Sequence, residues 1–311
     1  METSSVRGGE KNMECYYPPS MDRVIKEVEF HLEKNKNLAQ IFEVYKGILA
    51  VQLDILDKIK TSVNLSEEEL KEYFRNKKYL MADQKIEIDS ELFRKILQSV
   101  CKAIKEASPE APVSLLRLSE AEVFNEENIQ EFLRQIALYN KQELESFIEE
   151  KEIDKKTGLD SEIIAFVIFM SLSPFYSVNM KEVRGKVDFS SWRQSYCPVC
   201  GQTAVIAKHR NEDGARVLEC WLCHAEWVYP RMECPYCNNN DQKKLRFFYV
   251  TGDKARQVHV CEQCKRYLKT IDSKIMEKDA LLDIEAIATS YLDELAKKEG
   301  YKPPIEMVVL N

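Results

Sequence analysis

The sequence predicts an α+β protein: an all-α N-terminal bundle over residues 1–185, two tandem cysteine-knuckle modules over 186–274, and a C-terminal helix with a tail over 275–311 that packs back on the rest. Three observations lead there. Apolar residues recur at three- and four-residue steps from Met21 to Val183, the period of helices with one buried face. Eight of the ten cysteines fall between Cys197 and Cys264, all in C-x-x-C pairs. Helical spacing then returns from Asp279 to Lys298. With 311 residues, 44% of them apolar, the chain has material for about two buried cores.

The first half reads as consecutive helices. Val24, Ile25, Val28 and Leu32 share one face, as do Leu38, Ile41, Phe42, Tyr45, Ile48, Leu49 and Leu53 further on. Ser66 to Glu69 and Ser119 to Glu122 have the spacing of capping boxes, in which the serine accepts an orphan amide and the glutamate reaches back. Further helices are expected near 89–107, 125–151 and 160–172. Pro109, Pro112 and Pro174 are expected breaks, since proline lacks the amide proton and crowds the preceding turn. Asp154 to Gly158 reads as a loop. The stretch Ile163 to Phe169 is apolar all round and is expected as the central core helix; a groove floor for a hydrophobic peptide is the lesser alternative. Past Lys298, Gly300 suits a helix stop, and Pro303-Pro304 forbids continuation.

The cysteine pairs are Cys197/Cys200, Cys220/Cys223, Cys234/Cys237 and Cys261/Cys264. Two intervening residues let a tight turn aim both sulfurs at one ion, and two such knuckles complete a tetrahedral shell. Thr203–Arg210 and Ala215–Glu219 read as strands around an Asp213-Gly214 turn; Leu245–Val250 and Ala255–Val260 read as strands around Thr251 to Lys254. Each hairpin would bring its flanking knuckles together. The expected ligand sets are therefore Cys197, Cys200, Cys220, Cys223 and Cys234, Cys237, Cys261, Cys264. Crossed pairing would leave both hairpins unused. Thioredoxin-type dithiols fit poorly, because such a pair opens a helix after a strand. Two metal ions in four-cysteine sites are implied, zinc in ribbon fashion or iron in rubredoxin fashion; the spacing does not choose. Cys15 and Cys101 stand apart, as a tail residue and a helix-core residue.

Closed sulfur shells offer no position for water or substrate, so the ions are expected to be structural. His209, His224 and His259 are expected as surface or hairpin residues rather than ligands. Trp192, Trp221, Trp227, Tyr229, Tyr236, Phe247 and Phe248 are expected to form the small ribbon core, with a base-stacking platform or a peptide-binding surface as the alternative. The sequence contains no glycine-rich phosphate loop, G-x-S-x-G elbow or H-E-x-x-H. Four histidines leave little for acid–base chemistry. The charge is −7 overall. Residues 1–190 carry 27 Lys and Arg against 35 Asp and Glu, whereas 191–274 carry 14 against 9. Two loaded four-cysteine sites would bring the latter segment near neutrality, which disfavours a nucleic-acid-binding zinc ribbon. A rubredoxin-type electron carrier stays open. The longest apolar run, Ile163 to Leu172, is about half of what a bilayer needs, so no membrane span is expected. The N-terminus does not read as a secretory signal, which predicts a cytoplasmic protein.

Trp192 before Cys197-Pro198-Val199-Cys200-Gly201, then Glu219 through Trp227 around Cys220-Trp221-Leu222-Cys223-His224, then Cys234-Pro235-Tyr236-Cys237 and Val260 through Lys269, together resemble the formate dehydrogenase accessory protein family, FdhE. Asp283 through Leu295 with Gly300-Tyr301 is similar to its closing helix. The resemblance is specific over about 185–302, and rests on order and length before that. Gln202 to Val205 departs from the family, where a proline is expected. The resemblance implies a non-catalytic, chaperone-like factor for assembly of a molybdenum or tungsten formate dehydrogenase. It would bind the catalytic subunit, or its twin-arginine signal segment, before export, and rubredoxin-like iron is associated with the family.

Overall fold

The computed structural model of the chain describes residues 18–82, 86–120, 125, 127–129, 131 and 141–304. Ser20 caps α1 (Met21–Lys34), which leads into α2 (Ala39–Ile55). Ser66 and Glu69 form the predicted capping box of α3 (Glu67–Arg75): the Ser66 amide donates to Glu69 at 2.8 Å and the Glu69 amide to Ser66 Oγ at 3.3 Å. Asp89 caps α4 (Ser90–Ala107), where Cys101 is fully buried and burial pushes its thiol up to about 12. Glu122, the partner in the second predicted box, lies outside the described residues, as does most of the helix expected over 125–151. Its last part is α5 (Lys141–Glu150).

Two local expectations are corrected. Asp154 to Gly158 is mostly helix, α6 (Ile153–Thr157), not loop. Buried Ile153 anchors the turn, Thr157 Oγ1 donates to the Ile153 carbonyl at 2.7 Å, and Gly158 ends it at φ 69°. Nor does Pro174 break its helix, for α7 runs from Ser161 to Lys186 with the proline inside. Proline leaves the carbonyl four residues earlier without its amide donor. That carbonyl belongs to Met170, and Gln52 Nε2 of α2 donates to it at 2.8 Å. A neighbouring helix thus repairs the gap.

Helix α7 is long and apolar enough to cross a membrane by length and composition, yet 72% of its most apolar stretch is buried inside the protein. It is the central helix of the main core, where Ile164, Val167, Phe169 and Leu172 meet Phe93, Leu97 and Val100 of α4.

Among the described residues the C-terminal half holds six strands, β1 (Ala204–His209), β2 (Arg216–Cys220), β3 (Glu226–Val228), β4 (Leu245–Tyr249), β5 (Arg256–Cys261) and β6 (Tyr267–Asp272). They form one sheet in the order β3-β2-β1-β6-β5-β4. The predicted hairpins are β1–β2 and β4–β5, both antiparallel, with Gly214 and Gly252 at positive φ in their turns. The first hairpin starts irregularly, with a register shift between Ala204 and Ile206. Each hairpin gains a third strand, β3 or β6, and the two three-stranded units join through parallel pairing of β1 with β6. The duplication therefore builds one continuous sheet.

One face of the sheet carries the chain's end. After a short α8 (Ser273–Met276), the helical stretch expected over Asp279–Lys298 divides at Thr289 into α9 (Leu282–Ala288) and α10 (Ser290–Lys298). Leu292 and Ala296 pack on Val258 and Val260, while Ala280 and Leu282 pack on Ile206 and Ile271. Ile284 and Ala288 also meet Val24 and Val28 of α1. Glu285, 1% exposed, ties these parts together through His31 of α1 at 3.1 Å and through Arg256 of β5 at 2.7 and 2.9 Å. Leu218, Trp227 and Leu268 join the main core. The protein is α+β, with a helical N-terminal region and both cysteine clusters in the sheet region.

Candidate metal centres

All four C-x-x-C pairs adopt one turn. The amide after each second cysteine donates to the carbonyl of the first, from Gly201, His224, Asn238 and Lys265 at 3.1, 3.0, 2.9 and 2.9 Å. Each first cysteine's amide donates to the carbonyl five residues on, at 2.8–3.1 Å. The turn requires left-handed backbone at the residue after the second cysteine, where φ is 77°, 58°, 56° and 58°. Glycine accepts this most readily, asparagine and histidine are enriched there among other residues, and lysine is the least suited of the four. Amides then point at sulfur: Val199 N lies 3.4 Å from Cys197 Sγ, and Tyr236 N lies 3.5 Å from Cys234 Sγ.

The hairpins bring the knuckles together as two groups, Cys197, Cys200, Cys220, Cys223 and Cys234, Cys237, Cys261, Cys264, each with its sulfurs within 4.8 Å of one another. In the first, Cys197–Cys223 and Cys200–Cys220 are 3.4 Å apart and Cys200–Cys223 is 3.7 Å; in the second, Cys234–Cys264 and Cys237–Cys261 are both 3.7 Å. A disulfide needs about 2.05 Å, whereas the edge of a four-sulfur tetrahedron around a metal at about 2.3 Å is roughly 3.8 Å. The spacing fits an ion. Burial pushes the Cys200, Cys223 and Cys234 thiols up, while at Cys220 and Cys261 hydrogen bonds outweigh burial and bring the thiol down; four thiolates gathered in one buried place need a cation to offset them. The two clusters could hold metal ions, zinc or iron alike.

They differ in surroundings. The first is wholly buried and belongs to the main core, with Trp221 edge-on to Phe169 of α7 at 4.8 Å. Pro198 and Val199 accept at their carbonyls from the amides of Leu80 and Met81 at 3.0 and 2.9 Å, binding the cage to the helical half. The second is half exposed at Cys237 and Cys264, with Asn239 Nδ2 donating to Cys261 Sγ at 3.6 Å.

The three nearby histidines stay out of both cages, but none is an ordinary surface residue. His224 Nδ1 faces Glu219 at 3.3 Å and Asp283 at 3.4 Å, and these three form a further group that could hold a metal ion. Burial, then the facing Asp283, pushes the Glu219 carboxyl up to about 8. His209 is buried and stands edge-on to His259 at 5.4 Å. Among the aromatics, Trp192, Trp221, Trp227 and Tyr229 enter the main core rather than a separate ribbon core. Phe248 packs under α10, and Phe247 is 55% exposed, stacked on His259.

Fold and site thus define a class: a helical region fused to a duplicated sheet carrying two four-cysteine cages. The family described as FdhE, central domain, matches residues 196–231, which span the first cage. The chain is 30% identical over 151 residues to an FdhE homolog of Aquifex aeolicus, covering 47% of this chain and 52% of that protein. It is 33% identical over 112 residues to one from Stutzerimonas stutzeri, covering 35% and 36%. The matches therefore span about half or less of these relatives' length. In fold it is similar to the crystal structure of the FdhE protein from Pseudomonas aeruginosa, with a TM-score of 0.55 and 20% identity over 93% of this chain and 95% of that one. The comparisons thus agree on a likeness to FdhE proteins, in sequence over part of the chain including the first cage and in fold over most of it.

Proposed function

We propose that this chain is a cytoplasmic, non-catalytic accessory protein for maturation of a formate dehydrogenase, binding its catalytic subunit during assembly and before export. Cys197, Cys200, Cys220 and Cys223 would hold one structural ion, and Cys234, Cys237, Cys261 and Cys264 a second. Each ion would cross-link two knuckle loops, and metal binding would supply part of their folding energy. The observation that carries the reading is that each cage is complete in sulfur and lies in an FdhE-like fold. A closed shell serves architecture, since it leaves no position for a reacting molecule.

Tagged, metal-loaded protein used as bait in extracts of its native cells should retain a formate dehydrogenase catalytic subunit, identified by mass spectrometry. A variant of the subunit lacking its signal segment separates recognition of that segment from recognition of the folded subunit. Failure to retain either form would contradict the proposal.

A further inference from the structure

Beside the first cage stands a group with a donor set that neither cage has. Glu219 precedes Cys220 at the end of β2, His224 follows Cys223, and Asp283 reaches both from α9. His224 Nδ1 lies 3.3 Å from Glu219 Oε1 and 3.4 Å from Asp283 Oδ2, and the three ligand atoms lie within 4.8 Å of one another. Around a metal with bonds of about 2.1 Å to nitrogen and oxygen, neighbouring ligands stand roughly 3.0 Å apart in an octahedron and roughly 3.4 Å apart in a tetrahedron. Both edges at His224 already have the length that an ion sets.

The far side of the imidazole orients it for a metal. His224 Nε2 lies 3.5 Å from Ser173 Oγ, and the hydrogen of that hydroxyl goes to the Leu222 carbonyl at 2.9 Å. A hydroxyl so committed offers lone pairs, so in the neutral ring Nε2 carries the hydrogen and Nδ1 turns its own lone pair on the two carboxylates. Three acceptors then face one another, and a cation between them removes the conflict. The surrounding charges do not supply it. Among the described residues, His224 is the one ion-pair partner of Glu219 and of Asp283. The charge of Lys208, on β1, acts on Glu219, but its Nζ is held by Glu226 at 2.8 Å and Asp279 at 3.2 Å. Arg23 of α1 donates to the Asp279 carbonyl at 3.0 Å. The loaded first cage would add about two negative charges alongside. Glu219 and His224 are buried, whereas the Asp283 side chain is 26% exposed and gives an ion its way in.

We infer that Glu219, His224 and Asp283 form a third metal site, in which one imidazole nitrogen and two carboxylates take a divalent transition-metal cation. The ion would staple α9 to the second knuckle and, with three protein ligands, keep a position open to water, which neither cage does. The inference stands apart from the proposed function, because it needs only the first cage and α9. Mn²⁺ is the probe: it suits carboxylates, and it stands lowest in the divalent series, so it leaves zinc on the thiolates and is itself lost when the protein is isolated without added metal. Full-length, zinc-loaded protein is titrated with Mn²⁺, with free Mn²⁺ read by electron paramagnetic resonance and retained zinc by elemental analysis. Saturable binding of one Mn²⁺ per chain is expected, weakened about tenfold or more by Asp283→Asn and by Glu219→Gln while the zinc content stays unchanged. Three results would overturn the assignment: no saturable binding, binding that the remote, exposed variant Asp54→Asn weakens as much as the site variants do, or uptake of Mn²⁺ only as zinc leaves.

Discussion

Replacing Gln52 by leucine isolates how α7 tolerates Pro174. Gln52 Nε2 is the donor to Met170 O, the carbonyl that proline deprives of its helical partner, and the side chain is 5% exposed. Leucine keeps most of the volume and removes the donor. A buried carbonyl left unpaired costs about 1–3 kcal/mol, which for a chain of this size lowers the melting temperature by about 1.5 °C for each kcal/mol. The decisive arm is a double-mutant cycle with Pro174→Ala. Alanine restores the amide to Met170, so Gln52→Leu in that background should lose only a few tenths of a kcal/mol of packing, and the two changes should couple by about 1 kcal/mol or more. Urea unfolding of the four metal-loaded proteins gives the numbers. Equal losses from Gln52→Leu in both backgrounds would refute the repair.

Gly201→Ala should destabilise by about 2 kcal/mol or more and weaken the first cage, because φ is 77° and an added Cβ would lie 2.9 Å from the Tyr79 ring; thermal melting with metal analysis checks it. Cys220→Ser should lower the stability of the helical half as well as the sheet, whereas Cys264→Ser should act locally, since the first cage lies in the main core and the second is half exposed; circular dichroism of both variants reads the difference. Burial raises the Glu285 carboxyl, but the bonds from His31 and Arg256 outweigh it and leave the pKa below its ordinary 4.5. Its stabilisation is thus present above about 4.5 and fades as pH falls through the lower folded value. Glu285→Gln should cost about 3 kcal/mol at pH 7, and its gap to the parent should close in acid; stability measured against pH checks this.

The elements readable from sequence are those whose signals are local. The capping box at Ser66, the hairpins around Gly214 and Gly252, and the grouping of knuckles by hairpin depend on residues close in the chain. Long-range partners wrote the rest. Pro174 reads as a break because the donor that rescues Met170 sits on α2. His224 reads as a surface or hairpin residue because Asp283, which faces it, comes from α9. Strand β3 is three residues long and β6 is buried on both faces, Lys269 included, so neither alternates in polarity. Gly201 advertises the left-handed turn residue most clearly, Asn238 and His224 more weakly; Lys265 takes it because the knuckle imposes it.

The most direct test is native mass spectrometry of the intact chain beside its Cys264→Ser variant. The parent should carry two ions with every cysteine reduced, and the variant should keep one, held by Cys197, Cys200, Cys220 and Cys223. Disulfide mass shifts in the freshly isolated parent, or two ions retained by the variant, would contradict two independent four-sulfur cages.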